Sequence, residues 1–361
     1  MKSHFFLSVR AMKLTAWVTC LAVLVLVGCQ SPGEKPSAQA GQPLRVIFET
    51  DMGNDVDDAL ALDMLYKYLD TGKINLLAIS NNKNSVFSIP FLQIMNNWYG
   101  YPDIPLGNVT DGANSQGDSR DYAQAVYEHK ANGQRVFKDY AGDSTKVKTS
   151  VALYRQILSQ QPDTSVIIIS VGFSTNIARL LDSEADDASP LSGKELVAKK
   201  VKLLSMMAGN FDGKLGGGEY NVIKDTLAAK KVFSEWPTAI VTSPFEVGIA
   251  ILYPATSIEN DFKFAAEHPL VVAYKSYLDM PYDRPTWDLT SVLYAVEGNE
   301  QNYFGVSEPG IIDVAGKGKT NFTPDPAGKH RYLSVDSIQV QKIKSRFISL
   351  ITKKPANHEK Q

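Results

Sequence analysis

The stretch RVIFETDMGNDVDDALALDML, residues 45–65, passes from an apolar, β-branched run into a helix-forming one through a single polar turn. In that turn Glu49, Asp51, Asp55, Asp57 and Asp58 set five carboxylates within ten positions. The apolar run shows no inside-outside alternation, so both of its faces are buried, as in the middle of a parallel sheet. A strand leading straight into a helix is the first half of a βαβ unit.

The same pattern recurs along the chain. LRVIFET, INLLAIS, SVIIISV, VKLLSMM and TAIVTS are the strand candidates, and segments of helical period fill 57–69, 89–99, 149–160, 176–181, 225–235, 287–296 and 335–352. The expected fold is α/β: a three-layer, Rossmann-like open sheet, mostly parallel, with helices on both faces. No repeat or second break in composition appears, so a single folded domain is expected over 44–353, with 354–361 as a tail. In such sheets ligands bind beyond the carboxyl ends of the strands. The acidic turn, NNKN, GFSTN, MAGN and SPFE all fall there, which predicts a polar ligand such as a sugar.

Acids at a helix start can serve merely to complement the helix dipole and cap free N–H groups. Four aspartates within eight residues exceed that need, and their repulsion calls for a cation among them. Hard oxygen donors without a His/Cys cluster favour calcium or magnesium over zinc. An EF-hand starting at Asp51 fails, because Val56 stands where glycine is required and Leu62 where a bidentate glutamate is required. Glu49 occupies the place of the nucleophilic aspartate of haloacid dehalogenase-type phosphatases, and no G-x-x-x-x-G-K loop is present to cradle a triphosphate.

With 37 basic against 39 acidic residues, net charge −2, the chain carries no electrostatic footprint for nucleic acid. Lys2, Arg10 and Lys13 precede an apolar run of export-signal length, and it closes on Leu26-Val27-Gly28-Cys29. That ending resembles the bacterial lipobox. It implies a signal peptide over 1–28, lipidation of Cys29, and a flexible tether over 29–43 rich in Pro, Gly, Ser and Ala. The competing reading is one uncleaved membrane anchor; both tether the same domain. Gln30 after Cys29 is not the usual inner-membrane retention signal, so an exported, outer-membrane lipoprotein is expected. Cys20 and Cys29 are the only cysteines, which removes thiol nucleophiles and zinc-thiolate sites from the mature domain.

ETDMGNDVDDALAL resembles the Asp-Thr-Asp-x-Gly-x-Asp-Asp-Ala signature of the calcium-dependent nucleoside hydrolases, the inosine/uridine-preferring N-ribohydrolases. Glu49 replaces the first aspartate, and two inserted residues make Asp57 and Asp58 the terminal pair. Further blocks follow in the family's order: VGFSTNIARLL, SMMAGNFDGKLGGGEYNVIKDTLAAKKVF and RPTWDLTSVLYA. The resemblance implies Ca2+ held by Asp51, Asp58, Asp288 and the backbone carbonyl of Thr175. Asp51 would also be the base that activates the attacking water. Asp57 and Asn221 would bind ribose hydroxyls, and Glu219 with Asn210 the hydroxymethyl end. Trp287, where some members carry a histidine as general acid, would stack on the nucleobase. It further implies a purine preference, a role in purine salvage, and leaves homo-oligomerisation open. Glu49 is expected to support the site from behind, and Asp55 belongs to the insertion and has no role assigned to it.

Each of these residues has a plainer reading. Thr175, Asn176 and Asp288 are in places suited to helix caps. Glu219 reads as a surface acid, Asn221 as a turn residue, and Trp287 as half-buried packing. Two other functions stay open at this point: a calcium-dependent sugar- or nucleoside-binding lipoprotein without turnover, and a hydrolase of another ribosyl-like substrate.

Overall fold

Successive residues of the first strand point to opposite sides of the sheet. Val46 and Phe48 pack into one hydrophobic core, while Ile47 enters a second core on the other face. The strand Val166–Ser170 divides in the same way, with Ile167 and Ile169 on the first side and Val166 and Ile168 on the second. Two cores on two faces require a layer of helices on each. The helices Asp57–Asp70, Ser88–Trp98, Trp287–Glu297 and Ser337–Ile351 cover one face. Ser150–Ser159, Thr175–Asp182, Gly193–Lys200 and Thr226–Glu235 cover the other. Truncating one fully buried side chain such as Ile168 to alanine costs about 2–5 kcal/mol.

These features come from a computed structural model that describes residues 42–113, 121–143 and 147–358. Residues from Gln42 onward form one compact unit. Cys29, the signal segment and most of the tether lie outside the described residues. No helix among the described residues is long and apolar enough to cross a membrane.

The main sheet has 11 strands. Its parallel part runs in the spatial order His330–Ser334, Ala239–Ser243, Val201–Met207, Val166–Ser170, Leu44–Thr50, Ile74–Asn81, Leu106–Asn108 and Lys148–Thr149. Gly310–Val314 and Thr320–Pro324 extend one edge antiparallel, and Gly305–Val306 pairs beside them. The five central strands agree with the sequence reading to within a residue or so at each end. The C-terminal antiparallel strands were not anticipated, because Gly310–Val314 alternates buried and exposed residues in only five positions. Short helices such as Tyr122–Glu128, Phe245–Ile249 and Pro269–Tyr277 were also missed.

Leu44–Thr50 lies between Val166–Ser170 and Ile74–Asn81, both parallel to it. The acidic turn therefore leaves the middle of the sheet at its carboxyl rim. Val171 continues beside it, its N–H donating to Glu49 O at 2.8 Å.

Candidate active site

A cavity of about 300 Å³ opens at that rim. Its walls include Asp51, Asn54, Asp55, Asp57, Asp58, Glu219, Asn221 and Asp288, with Val171, Met207, Tyr220, Phe245, Tyr277 and Trp287 as the apolar and aromatic part. Carboxylates thus meet aromatic rings in one hollow.

The helix Asp57–Asp70 takes no cap from Val56 at its N-cap, its first N–H donates to Asp55 Oδ1 at 3.4 Å, and the carboxylates of Asp57 and Asp58 find their partners outside the helix. Both are buried and turned inward. One carboxylate oxygen each from Asp57, Asp58 and Asp288 lies within 4.8 Å of the others. Asp288 N donates to Asp57 Oδ2 at 3.0 Å, which fastens the late helix to the early turn. Thr50 donates its hydroxyl to Asp58 Oδ1, while Asp58 Oδ2 is buried without a partner. Burial first, and then repulsion from neighbouring aspartates (Asp55 on Asp57, Asp51 and Asp57 on Asp58, Asp57 and Asp58 on Asp288), push all three carboxyl groups well above the usual range. Such a trio of hard oxygens without histidine or cysteine suits a divalent cation of the calcium or magnesium kind.

Asp51 faces the same cavity with a different surrounding. Asn54 Nδ2 donates to its Oδ2 at 2.7 Å. Burial raises its carboxyl to about 6, opposed by the positive charge of Lys83. Lys83 is itself buried, 3.9 Å from Asp121. Behind it, Glu49 is fully enclosed, and burial pushes its carboxyl up to about 8. Asn176, Asn82 and Tyr154 face Glu49 and temper that rise, though none reaches ordinary hydrogen-bond geometry.

Glu219 is a buried cap rather than a surface acid. Its carboxylate accepts from the N–H groups of Asn221 at 2.8 Å, and of Gly209 and Val222 at 3.3 Å. Burial nevertheless raises it to about 7. Asn221 Nδ2 reaches the carbonyls of Val171 and Met207, each at 3.3 Å, so that one amide ties two strand ends together. Trp287 Nε1 donates to Phe245 O at 2.9 Å, and the two rings pack 5.6 Å apart at 30°.

The profile of the inosine-uridine preferring nucleoside hydrolase family matches residues 46–335. The chain belongs to that family. It is a hydrolase acting on the N-glycosyl bond of nucleosides. A nucleoside hydrolase from Bacillus anthracis, described as inosine-uridine preferring, is similar in structure with a TM-score of 0.63 at 18% identity over 85% of this chain and 99% of that one. A purine-preferring ribonucleoside hydrolase from Gardnerella vaginalis gives 0.62 at 16% identity over 85% and 98%. A plant nucleoside hydrolase gives 0.62 at 17% identity over 86% and 98%. At these identities the likeness is one of fold. Comparison with curated sequences finds no match.

Seven residues of this nucleoside hydrolase singled out from the sequence, Asp51, Asp57, Asp58, Glu219, Asn221, Trp287 and Asp288, stand together around the cavity. Asp57, expected at the ribose, lines the cavity and also stands within the carboxylate trio. Thr175 and Asn210 are buried and make contacts of their own. The Thr175 hydroxyl donates to Asp225, and the Asn210 backbone exchanges hydrogen bonds with Thr320 Oγ1 at 2.9 and 3.0 Å. Asn210 Nδ2 is buried without a partner.

Sequence reasoning missed the residues around Asp55. Arg284 Nε donates to Asp55 Oδ1 at 2.8 Å, and its Nη2 pairs with Asp55 Oδ2. Tyr277 also went unnoticed, and Asn54 and Phe245, though within the acidic turn and SPFE, had no role assigned. The signal available for Arg284 was its place in RPTWDLTS, four residues before Asp288.

Proposed function

We propose that the cavity binds a purine ribonucleoside together with a calcium ion, and that Asp51 takes the proton of the attacking water. The observation that carries this reading is the buried trio Asp57, Asp58 and Asp288, with one unpartnered oxygen, opening into a hollow walled by Trp287, Phe245 and Tyr277. Asp57, Asp58 and Asp288 would hold the ion, with Asp51 beside them. Bound there, a divalent cation offsets the crowded negative charge and lowers the pKa of a water in its shell.

The remaining work belongs to the chain. Asp51 faces the cavity with its Oδ2 fixed by Asn54 Nδ2 at 2.7 Å, which orients the carboxylate to accept a proton. As the C1′–N bond breaks, its electrons pass to the base, while the water oxygen bonds C1′ and its proton goes to Asp51. Glu219 and Asn221, each immobilised by backbone contacts, orient the ribose. Trp287 offers a rigid face suited to a purine. The lipobox-like ending at Cys29 supports an exported domain tethered to a membrane.

A reducing-sugar assay over a nucleoside panel, with calcium and with a chelator, tests the proposal. Inosine turnover that is lost on chelation and exceeds uridine turnover is expected. Equal rates on the two remove the purine preference, and full activity in chelator removes the metal.

A further inference from the structure

Cleavage of a nucleoside leaves negative charge on the departing base, and the cavity holds no imidazole to relieve it. The four described histidines are engaged elsewhere: His129 with Glu267 at 3.1 Å, His268 and His358 against Trp98, and His330 accepting from Ile312 N at 2.9 Å. At the aromatic side stands a permanent cation instead. The Arg284 guanidinium lies 4.9 Å from the ring centre of Tyr277 and 5.3 Å from that of Trp287, both cavity walls. Asp55, itself a wall residue, grips it in two-point fashion, and Nη2 also donates to the Tyr277 hydroxyl at 3.2 Å.

We propose that Arg284, aimed by Asp55, is the group that assists departure of the base. The inference rests on the nucleoside hydrolase reading above. A guanidinium cannot give up its proton at neutral pH. It acts as a preorganised donor, lending an N–H hydrogen bond to a ring nitrogen or carbonyl of the base while the C1′–N electrons move onto the ring. The base then takes its proton from solvent water, and Arg284 is unchanged. Three restraints already fix the planar head: the carboxylate of Asp55 and the faces of two rings. Little reorganisation is therefore needed when charge appears. The two residues inserted into the acidic turn thus acquire a purpose, since Asp55 is the anchor that holds the cation in place.

Leaving-group dependence provides the test. Inosine needs help in releasing its base, whereas p-nitrophenyl ribofuranoside expels a stable phenolate without it. For Arg284→Gln, kcat on inosine is expected to fall by about 100-fold while kcat on the nitrophenyl riboside changes by less than about fivefold. Arg284→Lys is expected to recover part of the inosine rate, since it keeps the charge and loses the two-point grip. Asp55→Asn, which releases the guanidinium without removing it, is expected to give a weaker version of the same split and serves if Arg284→Gln does not fold. A parallel fall on both substrates assigns the pair a structural role and overturns the proposal, as does unchanged inosine turnover. A wild-type protein that releases neither product overturns the hydrolase reading, and this inference with it.

Discussion

Gly172 offers a way to move Asp51 without altering any residue that touches substrate. A Cβ at position 172 would lie 2.6 Å from Asp51 N, 2.7 Å from Asp51 Oδ1 and 2.6 Å from Asn82 Oδ1. Ordinary contact begins near 3.4 Å, so a methyl group demands a displacement of about 0.8 Å. The backbone cannot easily supply it. Val171 N is bonded to Glu49 O at 2.8 Å and Asn82 N to Thr50 O at 2.9 Å, so both neighbouring strands are tied to the first. The Asp51 carboxylate and its peptide must yield. Misplacement of a reacting group by about 1 Å costs about 100-fold in rate. Gly172→Ala is therefore expected to lower kcat on inosine by about 30- to 100-fold, or about 2–3 kcal/mol of barrier. Overpacking adds a stability loss of about 1–3 kcal/mol. Hypoxanthine release followed by ultraviolet absorbance, alongside calorimetric Tm, reads both effects. Gly217→Ala is the control, because a Cβ there meets nothing within 4 Å. If Gly172→Ala keeps kcat within about twofold of wild type while the control behaves the same, Asp51 is not positioned by the strand ends and the reasoning fails.

Two more outcomes follow from the buried carboxyls. Asp51→Asn is expected to cost between about 100- and 10,000-fold in kcat with little change in substrate affinity; an undiminished rate of base release would show that the water loses its proton elsewhere. In chelator, the folded protein retains protons on Glu49 up to about pH 8 and on Glu219 up to about pH 7, whereas the unfolded chain releases them near 4.5. The folded state binds more protons across that window, so stability falls as pH rises through it. A divalent cation held by the trio would favour its ionised form and oppose the trend. Calorimetric Tm values at several pH values between about 5 and 8, with and without the ion, check this, and a chelated protein that grows more stable toward pH 8 contradicts it.

The central strands were legible because a strand buried on both faces leaves an unbroken apolar run, as in VIIIS of Val166–Ser170. Much of the site was legible for a related reason: its residues sit just past those runs, where chain order already places them on one rim. What stayed hidden depends on pairing across the fold. Nothing local in RPTW announces that Arg284 will meet Asp55, and nothing in KDT announces that Asp225 will hold Thr175. The split between capping and ligand acids was equally obscure, since Asp57 and Glu219 both stand at helix starts. Only the fold shows that Glu219 caps its own helix while the Asp57 carboxylate accepts instead from Asp288 N, far along the chain.

The bond from Asp288 N to Asp57 and the pair of Arg284 with Asp55 join positions 231 and 229 residues apart. Such long loops are costly to close early in folding. Leu44–Thr50 emerges before the other strands of the sheet, yet the turn it feeds stays open until nearly the whole domain has been made. Assembly of the site is thus a late folding event, and a chain cut short before residue 284 would carry the acidic turn with neither its clamp nor its third carboxylate.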